Sequence, residues 1–324
     1  MTEISRRRFG AALAGLGLSA VPSSWAEERF PARPIRIVCP FTPGGGSDYM
    51  ARVAAQVLTD RLGGPAFVDN RPGAGGMLGT EQALRSPADG HTLLLIAGSY
   101  TVNPSLYKLR FDPVADMTPV IQLSKGAYVV CVNARLPVKT LPELLAYARR
   151  QPERLTFASA GNGSHLHIVT AYLFGMADVH ATHVPYKGTG PAMTDLLSGS
   201  VDMLVAGTEA LMPHVQTGKL RALAVTTAKR LAAYPDIPAV AECGLPDYDV
   251  LAWHGLIAPK GLPAPILAQL NNALEAGLQA PALAAQLEPT GVSAAGGKPE
   301  AFGALIRAEI PRYGQVVREH HIQV

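Results

Sequence analysis

Pro40-Phe41-Thr42-Pro43-Gly44-Gly45-Gly46-Ser47-Asp48 decides how the rest of the chain is read. An apolar run at 35–38 leads into it, and apolar residues at helical spacing over 49–58 lead out. Three glycines between a strand and a helix let the backbone turn sharply and come close to a bound group. Ser47 or Asp48 stands where a helix cap is expected. The unpaired amides of a helix start point outward at the positive end of the helix dipole, so they attract an anion. The loop is read as the grip on the carboxylate of a small solute.

Working outward, the same plan recurs. Residues 66–68 read as a short strand before the turn Asp69-Asn70-Arg71-Pro72-Gly73-Ala74-Gly75-Gly76, with a helix running from that turn to Leu84. Residues 91–96 read as a buried strand that ends in a small-residue loop at 97–101. A strand is expected at 127–132 and a helix at 141–150, with Thr140 as its cap and Pro142 in its first turn. Residues 155–158 form a strand that runs into Ser159-Ala160-Gly161-Asn162-Gly163-Ser164, and a helix follows over 167–174. Further strands are expected at 201–206, 220–226 and 248–258, and helices at 192–198, 265–276 and 299–319.

Strands alternating with helices predict an α/β protein with parallel sheets, whose ligands gather beyond the carboxyl ends of the strands. Two strand–glycine loop–helix units, about 115 residues apart in the chain, suit a ligand held between two domains.

The first 26 residues read as an address. Ser5-Arg6-Arg7-Arg8-Phe9 is a twin-arginine pattern, an apolar run follows to Val21, and Ser24-Trp25-Ala26 offers small residues for cleavage after Ala26. That run is shorter than the ~20 residues a bilayer span needs. Residues 1–26 carry three arginines and one glutamate, so their removal takes the net charge from +3 to +1. Nothing in that balance indicates a nucleic-acid partner. Cys39 and Cys131 sit in apolar runs and read as buried small hydrophobes; with Cys243 they make an odd set without disulfide spacing.

Several other signals are discounted. Gly73-Ala74-Gly75-Gly76-Met77-Leu78-Gly79 has Leu78 where a dinucleotide loop needs its third glycine, and residues 43–47 lack the lysine of a phosphate-binding loop. His165 and His167, two apart, do not share a helix face, so no metal site is expected. Trp253 reads as a core aromatic in preference to a cleft-lining one, and Lys187 as either a cleft-mouth contact or a surface lysine.

In this order the motifs resemble the Bug receptors, the solute receptors of tripartite tricarboxylate transporters. The likeness rests on residues 40–48 with Ala51-Arg52, on residues 70–76 with Gly79-Thr80, and on Asp89-Gly90-His91-Thr92-Leu93. Asp116-Met117-Thr118-Pro119-Val120, Ser159 to Ser164 with His167, Val184-Pro185-Tyr186-Lys187-Gly188, residues 218–225 and Trp253-His254-Gly255-Leu256 extend it. His165, Leu166, Ala171, Ala239 and Cys39 depart from the pattern.

The resemblance implies a two-domain periplasmic-binding-protein-like (type II) α/β fold with a ligand cleft between domains. Domain 1 is expected to comprise 27–126 plus 240–324, and domain 2 residues 127–239. It implies an extracytoplasmic, monomeric receptor in the periplasm with no catalysis, cofactor or metal. Its partners would be a small carboxylate (di- or tricarboxylate, amino acid or aromatic acid) and integral-membrane permease subunits. A ligand-sensing subunit and an enzyme using His167 and Lys187 are the alternatives. Ligand contacts are expected from Phe41, Thr42, Gly44, Gly45, Gly46, Ser47 and Asp48, and from Ser99 and Tyr100. Gly161, Asn162, Gly163, Ser164 and His167 would supply the second jaw, with Tyr186, Lys187, Gly207 and Thr208 at the far end of the cleft.

Overall fold

The computed structural model describes residues 30–151 and 154–323; the twin-arginine pattern and the cleavage point after Ala26 lie outside them. The strands are β1 (Ile35–Cys39), β2 (Ala66–Asn70), β3 (Thr92–Ala97), β4 (Met117–Asn133), β5 (Thr156–Ser159), β6 (Thr182–Pro185), β7 (Met203–Gly207), β8 (Leu220–Val225), β9 (Leu251–Pro259) and β10 (Val292–Gly296). The helices that position the site are α1 (Gly46–Leu62), α2 (Met77–Leu84), α3 (Ser99–Val102), α4 (Leu141–Arg150), α5 (His165–Ala177), α6 (Thr189–Ser198) and α7 (Thr208–Gln216). Helices α8 (Ala264–Leu278), α9 (Pro281–Leu287) and α10 (Pro299–Glu319) close the chain.

One long strand organises the sheet. The first half of β4 pairs antiparallel with β9 and β10, and its second half pairs antiparallel with β7 and β8. Around the first half, β2, β1 and β3 are parallel to one another, and β3 meets β9 antiparallel. Around the second half, β7, β5 and β6 are parallel. The expectation of parallel sheets therefore holds for the two three-strand wings and fails at the centre. There the chain crosses between the wings along β4 and returns along β9, and those runs oppose each other.

Strand periodicity sorts the side chains. All six residues of β3 are buried, with Leu93 and Leu95 packed toward α1 and α8 and Leu94 and Ile96 toward α2 and α10. A strand buried on both faces reads as a continuous apolar run, which is why 91–96 was legible. On β9, Trp253 and Ile257 face the α10 side, so His254 between them turns to the opposite face. Trp253 is a core aromatic, its Nε1 donating to Glu309 on α10 at 2.8 Å. A separate core forms around the second half of β4, and Val240, Leu245, Tyr248 and Val250 pack into it.

Thr140 caps α4, accepting from the Glu143 amide at 3.3 Å. Cys39 and Cys131 are buried and unpaired, and burial pushes the Cys39 thiol up to about 12. Among the described residues, no helix is long and apolar enough to cross a membrane.

Candidate functional site

Two loops face each other across a narrow, partly open cavity; the space between its walls, solvent included, is about 520 Å³. The first follows β1. Gly44 has φ +90, a left-handed conformation that disfavours side chains, and its amide donates to Asp48 Oδ2 at 3.2 Å. Helix α1 begins with Gly45 as N-cap, where no side chain caps it. Ser47 and Asp48 are not caps, as the sequence had suggested; both lie inside the helix. The first helical bond runs from the Tyr49 amide to Gly45 O at 3.0 Å, which leaves the preceding amides for an outside acceptor. Gly45, Gly46 and Ser47 line the cavity.

Asp48 holds this loop from behind. Its carboxylate accepts from Arg52 Nε at 3.0 Å, Arg52 Nη2 at 3.1 Å and Asn70 Nδ2 at 3.0 Å, and Asn70 also donates to Phe41 O at 2.9 Å. Burial alone would raise the Asp48 carboxyl. The hydrogen bonds from Arg52, Asn70 and the Gly44 amide outweigh it and hold the group below the usual carboxylate range.

The second loop follows β5 and enters α5, whose N-cap is Ser164; its hydroxyl accepts from the His167 amide at 3.3 Å. Ser159 Oγ meets His183 Nε2 at 2.6 Å and accepts from the Gly161 amide at 3.1 Å. His167 Nδ1 accepts from the Gly163 amide at 3.3 Å, and its ring stacks on His183 with centroids 3.9 Å apart. The cavity wall between the loops carries Tyr128 from β4, His165 from α5, His254 from β9 and Glu209 from α7. Tyr128 Oη and His165 Nδ1 are 2.8 Å apart, and His165 Nε2 reaches Tyr313 Oη on α10 at 2.6 Å. His254 Nδ1 pairs with Ser124 Oγ at 3.1 Å. Burial lowers His165 to about 3 and His254 to about 4, so both rings are neutral at pH 7. Among the described residues, no lysine or arginine lines this cavity.

The expected contacts divide into three groups. Phe41, Thr42, Gly45, Gly46, Ser47, Ser99, Ser164 and Gly207 line the inner cavity. Gly161, Asn162, Tyr186 and Lys187 line an outer, more open cleft that also touches Phe41, Thr42 and the 73–76 turn. Tyr186 spends its hydroxyl on Asp195 at 2.6 Å, and Lys187 is exposed.

The remaining expected residues line neither space, each for a local reason. Gly44 turns its amide to Asp48, and Asp48 is engaged by Arg52 and Asn70. Tyr100 is buried with its hydroxyl on Pro113 O at 2.9 Å. Gly163 and His167 bond each other behind the loop. Thr208 is fully buried at the start of α7.

Tyr128, His165, Leu166, Glu209 and His254 line the cavity without having been singled out as contacts. For His254 the signal was strand alternation beside Trp253. For Glu209 it was an acidic residue just after a buried strand, next to Gly207 and Thr208, which were expected at the far end of the cleft. His165 and His167 reach different partners, as their spacing requires.

The fold and its cleft define a two-lobed solute-binding protein of the periplasmic type. The family model described as "Tripartite tricarboxylate transporter family receptor" matches residues 50–322, and the chain belongs to that family. It is 35% identical over 314 residues to protein BugT of Bordetella pertussis, across 96% of this chain and 95% of that one. The structure of R. palustris Rpa4515 with adipate superposes with a TM-score of 0.87 at 33% identity, covering 91% of this chain and 99% of the other. MatC (Rpa3494) from Rhodopseudomonas palustris with bound malate gives 0.83 at 32% identity, covering 89% and 100%. Family and neighbours are solute-binding receptors.

Proposed function

We propose that this protein is an extracytoplasmic receptor that closes over a small organic acid and hands it to the permease subunits of a tripartite transporter. The observation that carries this reading is the unpaired start of α1 facing the capped start of α5 in a cavity free of lysine and arginine. A carboxylate there would gain charge-assisted hydrogen bonds from amides. Neutral amides and imidazoles also avoid leaving a buried cation unpaired when the site is empty. The adipate and malate bound to related structures support a carboxylate as the ligand.

In this reading the lobes close about β4 and β9, with β1 to β3, β9, β10 and the first half of β4 in one lobe and the second half of β4 with β5 to β8 in the other. The ligand contacts are Phe41, Thr42, the amides of residues 45–47, Ser99, Ser164 and Gly207, with Asn162, Tyr186 and Lys187 at the rim. The protein acts as a monomer in the periplasm after cleavage at Ala26, and performs no catalysis.

A melting screen over mono-, di- and tricarboxylates, amino acids and aromatic acids tests it. A ligand at 100 times its Kd adds about 2.7 kcal/mol of stability. A shift from at least one carboxylate is expected; a shift from sugars or metal cations alone would refute the reading.

A further inference from the structure

Glu209 stands out in a cavity otherwise lined by neutral groups. It is set in the first turn of α7, immediately after β7, and half-buried. Its carboxylate lies against Gly46 at the start of α1: a Cβ on Gly46 would run into Glu209 Oε1. Gly46 sits within α1 without a left-handed φ, so its backbone does not call for glycine. What glycine supplies there is room for the Glu209 carboxylate. No side-chain donor among the described residues bonds that carboxylate. Its own backbone amide bonds it; His254 of β9 lies against Gly46 beside it, and Tyr128 and Tyr234 feel its charge, and none of these groups carries positive charge at pH 7.

A ligand carboxylate on the amides of residues 45–47 would therefore share one helix end with a second carboxylate. Two anions at such a distance repel, and in a partly desolvated site the repulsion is strong. A positive group between them turns the repulsion into two attractions. In an α-amino acid the ammonium lies one carbon from the carboxylate, so it can stand between that carboxylate and a second one at the same helix end.

We propose that Glu209, in the space left by Gly46, selects ligands that carry a cationic nitrogen next to the carboxylate, and that the receptor takes an α-amino acid. The inference rests on the receptor reading above. Burial raises the Glu209 carboxyl to about 7. An ammonium favours the ionised form, so binding releases a proton and affinity rises between pH 5 and pH 8. A dianion without nitrogen requires the protonated form, so its affinity falls over the same range.

The experiment is calorimetric titration of wild type, Glu209→Gln and Gly46→Ala with matched trios. Each trio comprises an amino acid, the corresponding 2-hydroxy acid and the unsubstituted acid: alanine, lactate and propionate, or glutamate, 2-hydroxyglutarate and glutarate, extended over the common amino acids. In wild type at least one amino acid should bind tenfold or more tighter than its two counterparts and tighter at pH 8 than at pH 5. Glu209→Gln, nearly the same shape, should lose tenfold or more for that amino acid with its melting temperature kept. Gly46→Ala should lose the same preference by displacing the carboxylate. Hydroxy or unsubstituted acids binding as tightly as every amino acid would overturn the inference and leave the receptor reading standing. So would undiminished amino-acid affinity in Glu209→Gln. Failure of every carboxylate to bind wild type would overturn both.

Discussion

The two strand–loop–helix units share a plan and differ in how each is held. The loop before α1 is fixed by charge. Asp48, buried behind it, gathers Arg52, Asn70 and the Gly44 amide, while the cavity side shows only backbone and small side chains. The loop before α5 is fixed by neutral groups, the Ser159 hydroxyl with His183 and the His167 ring with the Gly163 amide. It presents side chains to the cavity, His165 and Leu166 among them. One jaw is a bare cradle braced by an ion pair on its outer side; the other is a neutral, side-chain-bearing wall. An anion site can thus be built with its only strong charges kept outside the cavity wall, apart from Glu209.

The largest effect should come from filling the cradle. Gly45 has φ −101 and ψ 172, an extended backbone that other residues adopt, so Gly45→Val should fold. Its side chain would meet Thr189 and cover the amides, and carboxylate affinity should drop by about 100-fold or more, the scale of several lost charge-assisted hydrogen bonds. Calorimetry with whichever acid shifts the wild type checks this; unchanged affinity would mean that the first jaw is not the grip.

Removing the brace comes next. Asp48→Ala strips the acceptor from Asn70 and the Gly44 amide and should cost about 1–3 kcal/mol in denaturant unfolding. Asp48 is held below the usual carboxylate range, so its contribution is present above pH ~4 and fades as pH falls below that. The variant should show a weaker acid limb below pH 4 than wild type.

A pH series separates the jaws. Burial holds His165 and His183 at about 3 and His167 and His254 at about 4. Unfolded histidines take up protons from pH ~6.5 downward while these do not, so stability should begin to fall at pH ~6.5 and keep falling toward 4. Glu209, raised to about 7, works in the opposite direction between about 4.5 and 7, yet it is one group against four. In His167→Phe the ring stack survives and the Nδ1 acceptor is lost. That variant should lose about 1 kcal/mol at pH 7 and show a shallower decline from pH 6.5 to 4.5. An unaltered slope would show that the second jaw is not held by neutral imidazoles.

Lys187→Ala should matter least. The side chain is exposed in the outer cleft, and an affinity change under about threefold is expected for so screened a charge. A tenfold loss would move the anion grip from the inner cavity to the rim.

How far the chain could be read from its residues follows from the same contrast. Helices with an unambiguous cap or a wide apolar stripe were legible to the residue: α4 behind Thr140, and α10 over Pro299–Glu319. Runs buried on both faces, such as β3, were legible too. Helix α7 was not seen, because Pro213 interrupts its pattern, and neither was the full length of β4, whose Lys125-Gly126 sits where it passes between the lobes. At the site, glycine loops announce themselves by composition. Tyr128, His165 and His254 do not, because each comes from a separate element and only the folded sheet brings them together. Asp48 as a helix cap was misread for a related reason. A carboxylate beside a glycine loop suits capping or ligand contact equally well in sequence, and of its partners Arg52, Gly44 and Asn70 the last lies 22 residues away.

The most direct test is a crystal structure with the acid that gives the largest melting shift. The ligand carboxylate should lie within hydrogen-bond distance, directly or through one water, of the Gly46 or Ser47 amide on one side and of the 161–164 loop on the other. A ligand carboxylate resting instead on Lys187 in the outer cleft, with the start of α1 uncontacted, would contradict the account.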